Sequence, residues 1–166
     1  MSRLAQIART RLVVTSSLYG SKPLTLADAA RTAANVKGPG DSARLASPQP
    51  DFVNASAGLL TQLAPEEFLG ELKAIERAMG RAEVHEKWAP RVIDLDLLSL
   101  GAERRSGPPL TLPHAGIVDR NFVLYPLAEI APDLDVPGLG RVAKLRERIG
   151  ADGLWRLHEP PITTSA

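Results

Sequence analysis

The segment 91–98 constrains the fold most, because its apolar and polar residues alternate with a period of two. That period is typical of a β-strand with one buried face and one accessible face. The side chains expected to face the core are Ile93, Leu95 and Leu97. The two aspartates of the segment then share the opposite face.

Asp94 and Asp96 form a pair of neighbouring carboxylates, since residues two apart on a strand lie about 7 Å apart on one face. Their negative charges repel in a half-buried setting, and a bound cation removes that repulsion. Mg²⁺ suits such a pair, because it takes one or two carboxylates and completes its shell with water and substrate phosphates. Two aspartates on an exposed strand can equally sit in water without a ligand. Lys87, Trp88 and Arg91 come just before the pair and favour the metal interpretation.

The composition predicts a single globular domain and excludes some partners. The chain has 166 residues, which is enough for one domain with its own core. Its 20 basic and 19 acidic residues leave a net charge of +1, so no overall field attracts nucleic acid or an anionic membrane. No apolar run approaches the roughly 20 residues of a membrane span. The absence of cysteine is compatible with the cytosol, and we expect a cytoplasmic protein.

Local patterns predict an α+β fold. Strands are expected over 12–19, 52–60 and 91–98, where β-branched or alternating residues dominate. A helix is expected over 65–79, because a proline and two glutamates open it and apolar residues recur at helical spacing. Strand, strand, helix and strand with short connections indicate an antiparallel sheet with helices packed on a face.

The remaining segments are predicted from shorter signals. Helices are expected over 25–36 and 142–149, and Trp155 is expected to anchor the C-terminal part by packing. The proline-rich and polar end, 159–166, is expected to be disordered.

If the chain binds a nucleotide, side-chain cations and a metal must hold the phosphates. The sequence has no Gly-x-x-x-x-Gly-Lys-Ser/Thr loop, and no Gly-x-Gly-x-x-Gly follows a strand. Arginine offers a planar fork to phosphate oxygens, although any single basic residue can also be a solvated surface charge. The candidates are Arg81, Lys87, Arg91, His114 and Arg120.

Two phenylalanines and an asparagine are candidates for binding a heterocycle. Phe52 and Phe122 can hold a flat ring between them, or they can simply pack in the core. Asn54 lies on the same predicted strand face as Phe52, and a carboxamide offers both a donor and an acceptor to a heterocycle edge. Glu76, by contrast, falls off the apolar stripe of its predicted helix and is expected to face solvent.

Five short segments follow one another in an order that is specific in combination. They read Gln49-Pro50-Asp51-Phe52-Val53-Asn54, Leu72-x-x-Ile75-Glu76-x-x-Met79-Gly80-Arg81, Trp88-Ala89-Pro90-Arg91-Val92-Ile93-Asp94-Leu95-Asp96, Leu112-Pro113-His114 and Arg120-x-Phe122-Val123-Leu124-x-Pro126-Leu127-x-Glu129-Ile130-Ala131-Pro132. This combination resembles the 6-hydroxymethyl-7,8-dihydropterin pyrophosphokinases of folate biosynthesis. The likeness runs from about Val13 to Leu145.

The resemblance implies a ferredoxin-like α+β fold and a reaction between two small molecules. Pyrophosphate would pass from ATP to the hydroxymethyl oxygen of 6-hydroxymethyl-7,8-dihydropterin, with release of AMP. Asp94 and Asp96 would hold two Mg²⁺ ions that bridge ATP phosphates, in chemistry that is mostly positioning and charge neutralisation. The protein would occupy 1–158 as one domain, and we expect a monomer.

The resemblance also assigns residues to the two substrates. Phe52, Phe122 and Asn54 would contact the pterin, together with backbone near Ser21 and Leu24. The residues expected to contact ATP are Trp88, Arg91, Thr111, His114 and Arg120. Those expected to be catalytic are Arg81, Arg91, Asp94 and Asp96, with Asp96 also meeting the pterin.

Three features of the sequence depart from the family pattern. The family opens with a strand ending in Gly-Ser-Asn, and no such triplet stands at the start of this chain, so the sheet is expected to lack that strand. The segment 25–47, expected to form a helix and a loop, is an insertion in the loop that covers the pterin in the family, and Glu83 stands where many members carry a basic residue in the phosphate-closing loop. Two alternatives therefore remain open, a catalytically defective relative that binds pterin or nucleotide, and a ferredoxin-like interaction module.

Overall fold

A computed structural model of the chain describes residues 2–22, 50–80 and 93–157. The strands are β1 (Thr10–Thr15), β2 (Tyr19–Ser21), β3 (Phe52–Asn54), β4 (Ala57–Thr61), β5 (Asp135–Val136), β6 (Gly140–Arg141) and β7 (Leu154–Arg156). The α-helices are α1 (Pro65–Ala78), α2 (Asn121–Ile130) and α3 (Val142–Glu147), and short 3₁₀ turns span Leu4–Gln6 and Ala115–Ile117. The helix and loop predicted within 25–47 and the tail predicted at 159–166 lie outside the described residues.

The strands of the described residues pair antiparallel in three small sheets. β1 pairs with β4, β2 lies between β3 and β7, and β5 pairs with β6. Antiparallel sheets combined with helices confirm the predicted α+β class. Ahead of β1, residues 2–9 contain a 3₁₀ turn and no strand.

The two predicted strands 12–19 and 52–60 are each interrupted at a serine. Ser16 and Ser56 are both buried and face each other at the two breaks. The Ser16 N–H donates to the Ser56 carbonyl at 2.9 Å, and the Ser56 N–H donates to Ser16 Oγ at 2.9 Å. A hydroxyl thus takes the place of a backbone acceptor, which residue periodicity alone does not signal.

The central strand β2 is closely covered by Trp155 of β7. Gly20 and Trp155 are paired residues, and a Cβ on Gly20 would lie 2.3 Å from the Trp155 ring. Only glycine therefore fits at this position without movement of the indole. Trp155 therefore packs on β2, although the residue is 38% exposed.

Helix α1 forms as predicted. It runs from Pro65 to Ala78 and ends one residue before the predicted end at Met79. The Ala64 N–H donates to Glu67 Oε2 at 3.1 Å, so a first-turn glutamate satisfies a free amide at the helix start. Phe68 and Leu72 are buried in a first core cluster. The buried members of this first core are Leu4, Ile7, Leu63, Phe68, Leu72, Leu97, Leu110 and Leu112.

Helix α2 organises a second core, although it contains Pro126. A proline inside a helix removes one backbone hydrogen bond, and burial of the apolar face compensates for that loss here. The buried members of this second core are Ile117, Leu124, Leu127, Val136, Val142 and Leu145. No helix among the described residues is long and apolar enough to cross a membrane.

The prediction of a strand over 91–98 is wrong for the part that the structure describes, because residues 93–100 pair with no strand of the described residues. The predicted alternation of faces is nevertheless observed over 93–97, but it ends at Leu98, which is expected on the face of the aspartates and is half-buried. Asp94 and Asp96 are exposed, whereas Leu97 is buried in the first core. Alternation reports which side chains are covered, whereas a ladder also needs a neighbouring strand with free backbone groups. Leu98 packs against the second core, so the segment joins the two cores.

Candidate active site

The paired carboxylates lie on the accessible side of the segment 93–98. The side chain of Asp96 is 39% exposed, and its Oδ2 lies 3.8 Å from Nε2 of His114. Asp94 is exposed on the same side. The segment thus offers its carboxylates to solvent and to ligands, with the intervening Leu95 packed against the first core.

Two hydrogen bonds fix the orientation and the tautomer of His114. Its backbone N–H donates to the Leu98 carbonyl at 2.8 Å, and its Nδ1 accepts from the Gly116 N–H at 3.0 Å. Because a backbone amide can only donate, Nδ1 is unprotonated, and Nε2 carries the proton of the neutral ring. A hydrogen-bond donor is therefore presented toward Asp96.

Arg120 and Phe122 lie at the start of α2, close to the turn that follows His114. The Arg120 guanidinium carbon is 5.9 Å from the centroid of the Phe122 ring. The same side chain lies against Gly116, where a Cβ would be only 2.8 Å from it. A carboxylate, an imidazole donor and a guanidinium thus lie along one connected stretch of surface.

A second group of predicted site residues lies on β2 and β3. Ser21 pairs with Phe52, and Tyr19 pairs with Asn54. The Asn54 amide nitrogen donates to Ser21 Oγ at 2.9 Å and to the Tyr19 carbonyl at 3.3 Å. Because a backbone carbonyl can only accept, this contact assigns the nitrogen and directs the amide oxygen elsewhere. Phe52 is 41% exposed, so its ring is not a core residue.

Helix α2 connects the two groups, since it contacts both β2 and β3. At its far end, Glu129 Oε1 accepts from the Ser17 N–H at 3.1 Å and from Ser17 Oγ at 2.8 Å. Glu129 Oε2 accepts from the Tyr19 hydroxyl at 2.8 Å, and Arg156 lies 3.2 Å from Oε1. The helix that begins beside Phe122 is therefore held against the strand that pairs with β3.

The charges around Glu129 set two pKa values. Partial burial opposes ionisation of Glu129, but hydrogen bonds from Ser17 and Tyr19 and the charge of Arg156 outweigh it and lower the Glu129 pKa. Burial, followed by the hydrogen bond to Glu129, raises the pKa of the Tyr19 hydroxyl. At neutral pH the pair is thus an ionised carboxylate and a neutral phenol, which matches the observed direction of the hydrogen bond.

Several predicted site residues are not brought into these groups. Leu24, Arg81, Trp88 and Arg91 lie outside the described residues. Thr111 is exposed between two buried leucines, and no described contact joins it to the carboxylates.

Glu76 is the clearest correction to the sequence-based expectations, because it is buried and not solvent-facing. Its side chain is 1% exposed, with Oε2 at 3.0 Å from Lys73 Nζ and Oε1 accepting from the Leu95 N–H at 2.6 Å. The spacing carried a signal, since Glu76 follows Leu72 by four residues and Phe68 by eight. The acidic residue type hid it, because buried carboxylates are rare unless they are paired.

Among the described residues, the candidate metal ligands are few. In residues 2–22, 50–80 and 93–157, no group of three or more His, Asp or Glu side chains is placed to hold an ion. Mg²⁺ does not require such a cage, because it commonly takes one or two carboxylates and fills its shell with water and phosphate oxygens. The exposed carboxylates of Asp94 and Asp96 fit that requirement.

A carboxylate pair, an imidazole donor and a guanidinium on an α+β scaffold form the kind of site that binds a metal–polyphosphate complex. The family model of 7,8-dihydro-6-hydroxymethylpterin-pyrophosphokinase (HPPK) matches residues 1–132 of the chain. The chain belongs to this family.

Relatives in bacteria agree with that membership. A 2-amino-4-hydroxy-6-hydroxymethyldihydropteridine pyrophosphokinase of Haemophilus influenzae is 39% identical over 158 residues, which cover 95% of this chain and 86% of the relative. The enzyme of the same name from Pseudomonas aeruginosa is 40% identical over 152 residues, covering 92% and 81% of the two chains. That of a Synechocystis species is 43% identical over 109 residues, covering 65% and 55%.

Proposed function

We propose that this chain transfers pyrophosphate from ATP to 6-hydroxymethyl-7,8-dihydropterin and releases AMP. The observation that carries the proposal is the accessible pair Asp94 and Asp96, with His114 Nε2 at 3.8 Å from Asp96. The family membership and the names of the relatives support the choice of substrates.

The chemistry that such a site must support is defined by the products. The hydroxymethyl oxygen of the pterin forms a bond to the β-phosphorus of ATP. The bond from that phosphorus to the oxygen of the AMP leaving group breaks, and the hydroxyl proton is released. Little covalent help is needed from the protein, whose task is to align the two substrates and neutralise phosphate charge.

Asp94 and Asp96 would hold Mg²⁺, and we propose two ions. Bound Mg²⁺ neutralises phosphate charge and helps to align the reacting oxygens. His114 would donate from Nε2 to a phosphate oxygen, and Arg120 would offer its guanidinium fork beside it. Arg81, Arg91, Trp88 and Thr111 complete the proposed ATP site on the strength of the family resemblance.

The pterin is proposed to bind on β2 and β3. The amide nitrogen of Asn54 is engaged with Ser21 and Tyr19, so its oxygen would accept from the pterin edge. Phe52 is exposed enough to stack on a ring, and Phe122 would cover the other side of the ring. Backbone near Ser21 and Leu24 would complete this half of the site.

We also propose that residues 1–158 form one domain that acts as a cytoplasmic monomer. Leu97 belongs to the first core and Leu98 packs against the second, so the cores share one segment. This continuity supports a single domain and places the carboxylate pair directly beside the junction.

The test is AMP formation from ATP, Mg²⁺ and the pterin by the full chain. Asp94→Ala and Asp96→Ala are each expected to abolish AMP formation while leaving the circular dichroism spectrum unchanged. The matched control is Asp133→Ala, which removes an aspartate that is 86% exposed and pairs with Arg141. This control is expected to keep wild-type turnover.

Normal turnover in either of the first two variants would overturn the metal role. Calorimetric binding of a non-hydrolysable ATP analogue without any AMP formation by the wild-type chain would instead identify a non-catalytic relative.

A further inference from the structure

The buried carboxylate of Glu76 lies directly behind the proposed metal site. Among the described residues, Glu76 is the only charged residue in the buried class, with 1% of its side chain exposed. Its two oxygens are used differently, since Oε1 accepts from the Leu95 N–H at 2.6 Å and Oε2 lies 3.0 Å from Lys73 Nζ. Leu95 is the residue between Asp94 and Asp96.

A carboxylate at this position is costly for folding. Burying a charge carries a large desolvation penalty, and an apolar side chain of similar volume is often as stabilising or more so. The same helix row already supplies Phe68 and Leu72 to the first core. Core packing therefore does not explain why the row continues with Glu76.

The hydrogen bond to the Leu95 N–H provides a structural role for the Glu76 carboxylate. Residues 93–100 join no ladder in the described part of the chain, so strand pairing does not hold this amide there. A charge-assisted hydrogen bond from a rigid helix fixes the peptide unit between Asp94 and Leu95, one of the two units that separate the aspartates. The relative direction of the Asp94 and Asp96 side chains depends on the backbone angles at this unit.

We propose that Glu76 is a positioning residue, which fixes the Leu95 backbone so that Asp94 and Asp96 present their carboxylates to one bound cation cluster. This inference rests on the proposed function. It assigns to Glu76 an effect on metal affinity that is separate from its effect on stability.

The test compares three substitutions at one position in the full chain. Glu76→Leu has a similar side-chain volume but no acceptor for the Leu95 N–H. Glu76→Asp keeps the negative charge near Lys73, but its shorter side chain withdraws the acceptor from Leu95. Glu76→Gln keeps an acceptor oxygen on a side chain of the same length. The readouts are deuterium exchange of the Leu95 amide by NMR, thermal unfolding, and binding of Mn²⁺ with a non-hydrolysable ATP analogue by electron paramagnetic resonance.

Glu76→Leu and Glu76→Asp are expected to weaken Mn²⁺ binding about 10-fold or more, as is usual when an outer-shell partner of a metal ligand is removed. Leu95 exchange is expected to accelerate by roughly the same factor, because the amide loses its acceptor. Glu76→Gln is expected to stay within about threefold of wild type in both readouts, since it restores the hydrogen bond. Glu76→Leu is expected to unfold below the wild-type temperature, because the Leu95 N–H and the Lys73 ammonium each lose their carboxylate acceptor.

Wild-type Mn²⁺ affinity in folded Glu76→Leu or Glu76→Asp overturns the inference. If Glu76→Leu does not fold, Glu76→Asp decides alone. Asp96→Ala separates this result from failure of the proposed function. If Asp96→Ala loses Mn²⁺ and Glu76→Asp does not, only the positioning role fails. If Asp96→Ala also binds Mn²⁺ normally, the proposed metal site fails and the inference falls with it.

Discussion

His114 and Asn54 each use one polar atom within the protein and leave a second polar atom for another partner. His114 uses Nδ1 to cap the turn at Gly116 and directs Nε2 toward Asp96. Asn54 uses its amide nitrogen within the protein and directs its oxygen elsewhere. Substitutions that imitate one half of such a side chain can therefore separate structural roles from binding roles.

We expect His114→Asn and His114→Gln to fail in different ways. The oxygen of asparagine can take the place of Nδ1 as acceptor for the Gly116 N–H, whereas the amide of glutamine reaches the position of Nε2. His114→Asn should keep the wild-type melting temperature but raise the KM for ATP about 10-fold, the value of one charge-assisted hydrogen bond. His114→Gln should show the smaller KM change and the lower melting temperature. The reverse pattern would contradict the assigned tautomer.

Asn54→Ala is expected to weaken pterin binding more than ATP binding. Loss of one acceptor, and of the anchor to Ser21 beside it, should raise the pterin KM about 10-fold. The matched control is Val53→Ala, which changes a neighbouring residue of β3 that is 63% exposed. Steady-state kinetics with each substrate varied in turn measures both effects. Equal losses for the two substrates in Asn54→Ala would argue against a pterin contact.

At the scale of elements, the position of α2 depends on a small polar network. Glu129 joins the end of this helix to Ser17 in the β1–β2 connection, to Tyr19 of β2 and to Arg156 of β7. Three elements far apart in sequence are thus tied to one carboxylate. The other end of the same helix carries Arg120 and Phe122, so the network also bears on the candidate site.

Glu129→Gln should lower the free energy of unfolding by about 1–2 kcal/mol at pH 7, because it removes the charge that receives these hydrogen bonds. The Glu129 pKa is lowered from its usual 4.5. Its stabilisation is therefore fully present above that value and is lost as the pH falls through the lowered pKa. Urea unfolding of both proteins from pH 7 downward should show the difference shrinking in acid.

The control for this experiment is Glu147→Gln. Glu147 makes an exposed pair with Lys144 on α3, and such pairs contribute little to stability. A Glu129→Gln penalty that persists unchanged below the lowered pKa would show that the charge is not its cause.

For the whole molecule, two cores share one segment. Leu97 is buried in the first core, and Leu98 packs against the second. A defect in either core is therefore expected to reach the backbone that carries Asp94 and Asp96.

Leu124→Ala, which removes a side chain with 0% exposure from the second core, should cost about 2–5 kcal/mol of unfolding free energy. Leu72→Ala in the first core should cost a similar amount. Both variants should still unfold in one transition that coincides for circular dichroism and fluorescence, because the cores are joined. Leu60→Ala, at a position that is 59% exposed, should change stability by less than about 0.5 kcal/mol. Two separate transitions would contradict the shared segment.

The sequence determined the features that depend on neighbours in the chain. Pro65, the glutamates behind it and the apolar stripe specified α1 nearly to the residue. Alternation over 93–97 specified which side chains are covered, and the motif order specified the family to which the chain belongs. These signals are local, so they need no knowledge of the packed structure.

Only the tertiary structure decided the partners of individual polar groups. The Leu95 N–H donates to Glu76 and to no strand of the described residues. The tautomer of His114 follows from its hydrogen bond with the Gly116 N–H. Ser16 and Ser56 form a hydrogen bond where both predicted strands are interrupted. A backbone or side-chain group must find a hydrogen-bond partner once it is buried, but that partner comes from a remote part of the chain. Its identity is therefore fixed by packing and not by periodicity.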